Sequence, residues 1–113
     1  MKFVCLIYDP TPEAGYQEAY GRLVDEALKS GVMRGGDELT PPAGARTLRV
    51  RNGKRTLSNG SFPEANAALN GYMIFECASL DEATEWAAKI PGARTGSVEI
   101  RPAVQNTVEN SGP

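Results

Sequence analysis

The chain has 113 residues, of which 41% are apolar and 23% charged, a composition typical of one soluble globular domain. Its net charge of −2 gives no electrostatic reason to expect binding to nucleic acid or to an anionic membrane. The chain has no histidine and two cysteines. These counts exclude a Ser-His-Asp triad, a Cys-His dyad, and a histidine-rich or four-cysteine zinc site. We therefore expect neither a metal nor a cofactor.

The N-terminal third predicts a strand followed by an amphipathic helix. Residues 3–8 are aromatic and β-branched, which predicts a strand buried on both faces. This run is too short to span a bilayer and lacks a signal-peptide pattern, so we expect a cytoplasmic protein. Thr11-Pro12-Glu13 is typical of a helix start and Gly31 of a helix stop. Between them apolar side chains recur at helical spacing, at Tyr16, Tyr20, Leu23, Val24, Ala27 and Leu28.

The middle of the chain predicts a loop and then a hairpin. Glycine and proline are frequent from residue 31 to residue 44, which predicts a loop with one short strand at residues 32–34. Two alternating runs, residues 46–51 and 54–57, flank Asn52-Gly53, a strong signal for a β-hairpin. The alternation puts Leu48 and Val50 on one face of the hairpin and Arg49 and Arg51 on the other.

The last third predicts a strand, a helix and a strand. Residues 72–77 are strongly apolar and predict a second buried strand. Ser79 and Glu82 have the spacing of a helix capping box, and Pro91-Gly92 is expected to end that helix. Two segments complete the chain, an alternating strand at residues 97–101 and a polar tail at residues 105–113.

The order of these elements predicts a ferredoxin-like α+β fold with a split β-α-β pattern and a hairpin insertion, in one domain of residues 1–104. Each helix has one apolar stripe, so both should cover the same face of one sheet. The other face is also apolar and needs cover. We expect a homodimer in which two sheets meet face to face. The alternative is a monomer shielded by residues 58–71, which we predict as a loop with at most one helical turn.

Several motifs carry a resemblance to a known family. They are Gly35-Gly36-Asp37-Glu38-Leu39, Pro41-Pro42-Ala43, Asn52-Gly53, Gly71-Tyr72, Ser79-Leu80-Asp81-Glu82-Ala83 and Gly96-Ser97-Val98-Glu99-Ile100-Arg101-Pro102. In this order and spacing, the chain resembles the YciI-like family in its DGPF branch. The resemblance implies a dimeric α+β barrel, in agreement with the order of elements. The chain departs from the family twice. The namesake Asp-Gly-Pro-Phe reads Asn59-Gly60-Ser61-Phe62, and the His-Asp pair proposed as catalytic in better-known members is missing.

The first candidate site is this Asn59-Gly60-Ser61-Phe62 segment. As a ligand site, Asn59, Gly60 and Ser61 would offer hydrogen bonds while Phe62 packs against the ligand. The alternative is turn chemistry, because Asn-Gly favours positive φ angles. An amide cannot act as a general base, so the family's acid–base chemistry does not carry over to this position.

Carboxylates are the second set of candidates. Four lie next to family-like motifs, namely Asp9, Glu38, Glu64 and Glu99. A buried carboxylate with a raised pKa would serve as a general base, and position in a loop favours Glu38 and Glu64. The alternative is that all four are ordinary capping or solvated groups.

The remaining candidates are tyrosines, arginines and cysteines. Tyr8 and Tyr72, at the end and the start of predicted strands, would point hydroxyls into a shared cleft. Arg34 and Arg101 would hold an anionic ligand group, or else form surface ion pairs. Cys5 and Cys77 lie in central strands, where we expect two buried thiols rather than a redox pair.

Three hypotheses for function follow. The first is a homodimeric binding module that holds a small polar or anionic ligand in a cleft between the sheet and the loops. The second is an enzyme with Glu38 or Glu64 as general base and Tyr72 or Arg101 stabilising negative charge. The third is a regulatory or interaction module without a ligand, whose partner would meet the Arg49 and Arg51 face of the hairpin.

Overall fold

The computed structural model describes residues 1–61 and 69–105, and its main sheet has the order predicted for a ferredoxin-like subunit. Four antiparallel strands lie in the order β2-β5-β1-β6, so the two central strands are the two predicted to be most apolar. The strands are β1 (Lys2–Tyr8), β2 (Met33–Glu38), β5 (Leu69–Glu76) and β6 (Ser97–Pro102). Residues 62–68, which are half of the predicted loop, and residues 106–113 of the predicted tail lie outside the described residues, and the loop prediction is wrong at residues 58–59 and 69–71, which belong to β4 and β5. The expected α+β fold is confirmed.

Three helices cover one face of this sheet, which we call the helix side. They are α1 (Tyr16–Lys29), α2 (Leu80–Ala87) and the short α3 (Gly92–Thr95). The core lies between them and the sheet. It consists of Phe3, Cys5, Ile7, Met73 and Phe75 from the central strands, with Leu23, Ala27, Ala83, Ala87 and Ile90 from the helical layer. No helix in the described ranges is long and apolar enough to cross a membrane.

The first helix begins later than its sequence predicts. Thr11-Pro12-Glu13 precedes the helix rather than starting it, and α1 begins at Tyr16 after Gly15, whose φ is +78°. A residue in this left-handed conformation cannot be part of an α-helix, so the turn at Gly15 delays the start. The predicted stop is confirmed, since Gly31 follows the helix with φ +76°.

The second helix starts as predicted and ends earlier. The Ser79 hydroxyl accepts a hydrogen bond from Glu82 N at 3.1 Å, and the Glu82 carboxylate accepts one from Ala78 N. Helix α2 ends at Ala87, five residues before Gly92, which begins α3 instead of terminating α2. Ile90 stays in the core through a turn in which its N–H donates to Ala87 O.

Strand β1 is buried on one face and half-buried on the other. Phe3, Cys5 and Ile7 are at most 4% exposed on the helix side. The opposite face has no helix over it among the described residues. There Val4 lies opposite Ile74 and Leu6 lies opposite Tyr72 across the β1–β5 pair. We call Val4, Leu6, Tyr8, Tyr72 and Ile74 the open sheet face. All five are only half-buried.

The predicted hairpin is confirmed as a separate two-stranded sheet, β3 (Arg46–Arg51) and β4 (Lys54–Asn59). Asn52 and Gly53 both have positive φ, as a tight two-residue hairpin turn requires. At its base, Gly60 N donates to Ala45 O and the Thr47 hydroxyl donates to Gly60 O. We call residues 46–59 the hairpin arm. It leaves the main sheet between the end of β2 and the start of β5.

Candidate functional site

A cavity of about 280 Å³ lies between α1 and the helix side of the sheet, where two glycines interrupt the core. Gly71 lies opposite Ile7, and Gly36 lies opposite Met73, so both positions face the helices. A Cβ atom at Gly71 would stand 2.7 Å from Asp37 O, and one at Gly36 would stand 2.6 Å from Tyr72 O. Neither position accepts a side chain, and the space beside these strands therefore stays open.

The lining of this cavity combines an apolar wall with acidic and neutral polar groups. Ile7, Val24, Met33 and Met73 form the wall. The polar groups come from α1, from the residue after β1, from the end of β2 and from the start of β5. They are Asp9, Tyr16, Gln17, Tyr20, Glu38 and Asn70. None of the lining residues described is a lysine or an arginine. A ligand in the cavity would therefore meet a negative potential.

Among the charged residues that the structure describes, Asp9 is the one that is buried, with 5% exposure. The Thr95 hydroxyl donates to its Oδ1 at 2.7 Å, and the Asp9 backbone N–H donates to Asn70 Oδ1. Gly96 packs so closely that a Cβ there would stand 2.7 Å from Asp9 Cα. The Thr95 hydroxyl thus orients the Asp9 carboxylate at the cavity, and the other two contacts fix the Asp9 backbone.

Two tyrosines one helical turn apart on α1 face the acidic groups. Their rings pack edge to face with centroids 6.2 Å apart. The Tyr16 hydroxyl donates to Glu38 Oε2 at 2.9 Å, and this hydrogen bond raises the pKa of Tyr16. Burial raises the pKa of Tyr20, with the charges of Asp9 and Glu38 adding to the effect and the hydrogen bond from Gly92 N opposing it. Both phenols thus stay protonated at neutral pH, with the Tyr16 hydroxyl donating to Glu38 and the Tyr20 hydroxyl accepting from Gly92 N.

Asp37 and Tyr72 border the cavity with their backbones. They lie opposite each other in the β2–β5 pair, and Tyr72 also lies opposite Leu6 of the open sheet face. This register places both side chains on the open sheet face. There the Tyr72 hydroxyl donates to Asp37 Oδ2 at 2.9 Å, which raises the pKa of Tyr72. The carboxylates of the cavity itself are consequently Asp9 and Glu38.

The structure separates the predicted site residues. Glu38 is an exposed carboxylate at the cavity mouth, and Tyr72 reaches the cavity only through its backbone. Asn59 is the last residue of β4 and lies opposite Arg46, and Gly60, with φ +88°, closes the base of the hairpin arm. Neither these two residues nor Ser61 lines the cavity. Phe62 and Glu64 lie outside the described residues.

The predicted arginine and tyrosine contacts also fall elsewhere. Tyr8 lies on the open sheet face. Arg34 donates from Nη1 to Gly31 O at 2.8 Å and to Met33 O at 3.0 Å. Arg101 is 69% exposed, with its Nε 3.9 Å from Glu99 Oε2. Neither arginine predicted to hold an anion thus borders the cavity, and the two tyrosines predicted to share a cleft lie together on the open sheet face.

Sequence reasoning missed the residues that make this cavity. The tyrosines of α1 follow the helical apolar spacing, and we interpreted them as core. Asp9 is one of the four candidate carboxylates, but position in a loop favours Glu38 and Glu64 over it. One signal was available in the glycines of β2 and β5, because a glycine inside a strand often marks the close approach of another group.

The sequence and the fold are similar to known proteins. The family model described as YCII-related domain matches residues 1–106. A curated relative, an uncharacterised protein of Rhizobium meliloti (strain 1021), is 41% identical over 66 residues, which are 57% of this chain and 53% of the relative. The chain thus spans about half the length of that relative.

One solved structure has a similar fold. It is 5-chloro-2-hydroxyhydroquinone dehydrochlorinase from Burkholderia phenoliruptrix AC1100, in complex with 2,5-dihydroxybenzoquinone. The alignment covers 96% of this chain and 98% of that chain, at 14% sequence identity and a TM-score of 0.48. This likeness concerns the fold, and it transfers no substrate to the present chain.

Proposed function

The chain belongs to the YCII-related domain family, and from that premise we propose that it binds a small neutral or cationic molecule in the cavity beneath α1. One observation carries the proposal: the cavity has an apolar wall, two carboxylates at Asp9 and Glu38, and no cation among its described lining residues. Pockets with an apolar wall and a few converging polar groups are the usual form of a small-molecule site. Membership of the DGPF branch stays a prediction.

The volume limits the size of the ligand. An engineered cavity of about 150 Å³ accommodates benzene, and the present cavity has about 280 Å³. Room therefore exists for one substituted ring or an aliphatic group of similar bulk. The tyrosine hydroxyls on α1 donate hydrogen bonds, and the two carboxylates accept them. A ligand with hydroxyl or amino groups on a compact apolar body fits this lining.

The lining changes the ligand class expected from the sequence. An anionic ligand would approach two carboxylates without a compensating cation in the described lining. Unit charges about 4 Å apart interact by roughly 4 kcal/mol at an effective dielectric constant near 20. Even a third of this energy corresponds to about a tenfold change in affinity. We therefore propose a neutral or cationic ligand rather than an anionic one.

Three probe molecules that share a ring and differ in charge test this proposal. Phenethylamine, 2-phenylethanol and phenylacetate are titrated into isotope-labelled protein, and binding is followed through the amide signals of Ile7, Gly36 and Met73. We expect phenethylamine to bind most tightly and phenylacetate at least about tenfold more weakly. Glu38→Gln should reduce the advantage of the amine over the alcohol. Preferred binding of phenylacetate would contradict the proposal.

Acid–base catalysis in the same cavity is a second candidate. The contact that favours it is the hydrogen bond from Tyr16 to Glu38, which places a carboxylate beside a hydroxyl at the mouth. Glu38 is exposed, however, whereas a site that catalyses proton transfer usually excludes water from the reacting groups. Ligand binding uses the same contact without a proton transfer, and it is the function we favour.

We also propose that the protein acts as a homodimer paired through the open sheet face. Val4, Leu6 and Ile74 form a continuous aliphatic strip across the two central strands. Charged residues flank the strip on the edge strands, with Arg101 opposite Val4 and Glu99 opposite Leu6. An apolar centre with a polar rim is the usual anatomy of an interface.

The two free, buried thiols, Cys5 and Cys77, support a cytoplasmic location for the protein, because disulfides are rare in the cytoplasm.

A charge placed in this strip should dissociate the dimer. Leu6→Asp would put a carboxylate at the centre of the interface, and we expect it to sediment as a monomer while the wild type sediments as a dimer. Leu28→Asp is the matched control, because Leu28 is 60% exposed on α1 and far from the strip. This variant should remain a dimer. A monomeric wild type, or equal effects of the two substitutions, would contradict the proposed pairing.

A further inference from the structure

Charges of opposite sign are unevenly divided between the hairpin arm and the rest of the chain. It carries five cations and no carboxylate, namely Arg46, Arg49, Arg51, Lys54 and Arg55. The rest of the chain keeps seven of the twelve Lys and Arg residues and all fourteen Asp and Glu residues. An arm of charge +5 thus extends from a body of charge −7. Such a division favours contact between the arm and a body.

The arm also exposes an aliphatic face. Leu48 and Leu57 lie opposite each other and are 50% and 57% exposed, and Val50 beside them is 53% exposed. Strands β3 and β4 pack on each other, and no helix or main-sheet strand in the described ranges packs substantially on either. A two-stranded hairpin alone is marginally stable in water. The aliphatic face therefore needs a protein surface to cover it, which a phosphate backbone would not provide.

A surface of matching chemistry lies on the outer side of α2. Leu80 is 50% exposed there, next to the exposed carboxylates of Asp81 and Glu85. Most carboxylates in the described chain already accept a hydrogen bond or pair with a cation. The exceptions among residues 1–61 and 69–105 are Glu18, Asp81 and Glu85. Two of these three therefore lie on α2, beside an exposed leucine.

Within the described chain, the hairpin arm does not pack substantially on its own α2. The end of β2, which precedes the arm, pairs with the start of β5, whereas the end of β5 shortly precedes α2. The eight residues of β5 span roughly 25 Å at about 3.3 Å per residue, so the sheet has an arm end and an α2 end. In a dimer whose facing sheets have antiparallel strands, however, the arm end of one protomer lies beside the α2 end of the other. Two equivalent contacts would then close the pair symmetrically.

We infer that the hairpin arm of each protomer docks on α2 of a second copy of the chain, with its aliphatic face on Leu80 and the two cations of that face, Arg46 and Arg55, near Asp81 and Glu85. This inference rests on the proposed homodimer and adds a second contact to it. The arm carries five cations and no carboxylate, and α2 presents two of the three unpaired acids among the described residues.

Cysteine cross-linking tests the contact in the full-length protein. Arg55→Cys and Asp81→Cys are purified separately, mixed in equal amounts and oxidised with oxidised glutathione. Both native thiols are buried, at 4% exposure or less, and should not react. We expect a disulfide-linked heterodimer from this mixture. The matched control is Arg55→Cys with Glu18→Cys, which places the thiol at the unpaired acid on α1 and should not cross-link. Equal cross-linking in both mixtures would overturn the inference.

A charge exchange gives an independent test without new thiols. Arg46→Glu with Arg55→Glu reverses the charge of the docking face of the arm, and Asp81→Lys with Glu85→Lys reverses the charge of α2. Each double variant alone should dimerise at least about tenfold more weakly than the wild type. A mixture of the two should recover wild-type affinity, because every arm in the heterodimer then meets an opposite charge. Weakened variants without recovery would overturn the inference. Unchanged dimers, together with arm-dependent binding of a DNA duplex, would overturn it in favour of nucleic acid.

Discussion

Gly71→Val is expected to abolish binding of phenethylamine and to lower the free energy of unfolding by at least about 2 kcal/mol. The Cβ of the added side chain would stand 2.7 Å from Asp37 O and 3.4 Å from Glu38 Cα, both in residues that line the cavity. That oxygen belongs to the backbone of β2, so relief requires the two strands to move apart. Isothermal titration calorimetry measures the binding, and urea unfolding measures the stability.

Gly21→Ala is the matched control for this substitution. Gly21 lies inside α1, and a Cβ there would meet no atom within 4 Å. Alanine in an exposed helix interior is more stable than glycine by about 0.5–1 kcal/mol. We therefore expect a more stable protein with unchanged affinity for phenethylamine. Wild-type affinity in Gly71→Val would show that the ligand lies elsewhere.

Stability should fall above pH 9 because of Cys5. Burial raises the pKa of the Cys5 thiol from 9.0 to about 11, with the neighbouring Cys77 adding to the effect. The thiol of the unfolded chain ionises first, so the unfolded state gains stability as the pH rises above 9, while the folded state keeps its proton until about pH 11. The free energy of unfolding should accordingly fall by about 2 kcal/mol between pH 9 and pH 11. Below pH 9 the protonated Cys5 thiol contributes its full stabilisation.

Comparison with Cys5→Ala isolates this effect from the other groups that titrate in alkali. Both proteins contain the same tyrosines and lysines, so the pH profiles of their unfolding free energy differ only by the ionisation of the Cys5 thiol. Urea unfolding at pH 7 and at pH 11 should show a smaller alkaline loss in the variant, by about 2 kcal/mol. Parallel profiles for the two proteins would contradict this assignment. The burial of Cys5, at 0% exposure, is the physical cause under test.

Local sequence chemistry was sufficient to predict most of the fold. Asn52-Gly53 determines a hairpin turn by its positive φ angles, and Ser79 with Glu82 caps α2 through adjacent backbone groups. Such contacts span a few residues, and a pattern in the chain reveals them. The predicted start of α1 was wrong, because Gly15 adopts a left-handed conformation and the helix can begin only after it, although Thr11-Pro12-Glu13 is typical of a helix start. The predicted apolar stripe was also wrong at Leu28, which is 60% exposed.

The candidate site was less accessible to sequence reasoning because distant residues create it. Asp9 owes its fixed position to Thr95 and Asn70, which are 86 and 61 residues away along the chain. The cavity itself results from missing side chains at Gly36 and Gly71, and no residue type marks an empty space. Glu38 alone among the preferred candidates lies at the mouth with its side chain.

A crystal structure of the protein soaked with phenethylamine would show directly where this ligand binds. We expect density for the ring against Ile7 and Met73, beneath α1, with the amine within hydrogen-bond distance of the Asp9 or Glu38 carboxylate. Density for the ligand at the open sheet face, or an empty cavity at a concentration that saturates the solution titration, would contradict the assignment of this cavity as the binding site.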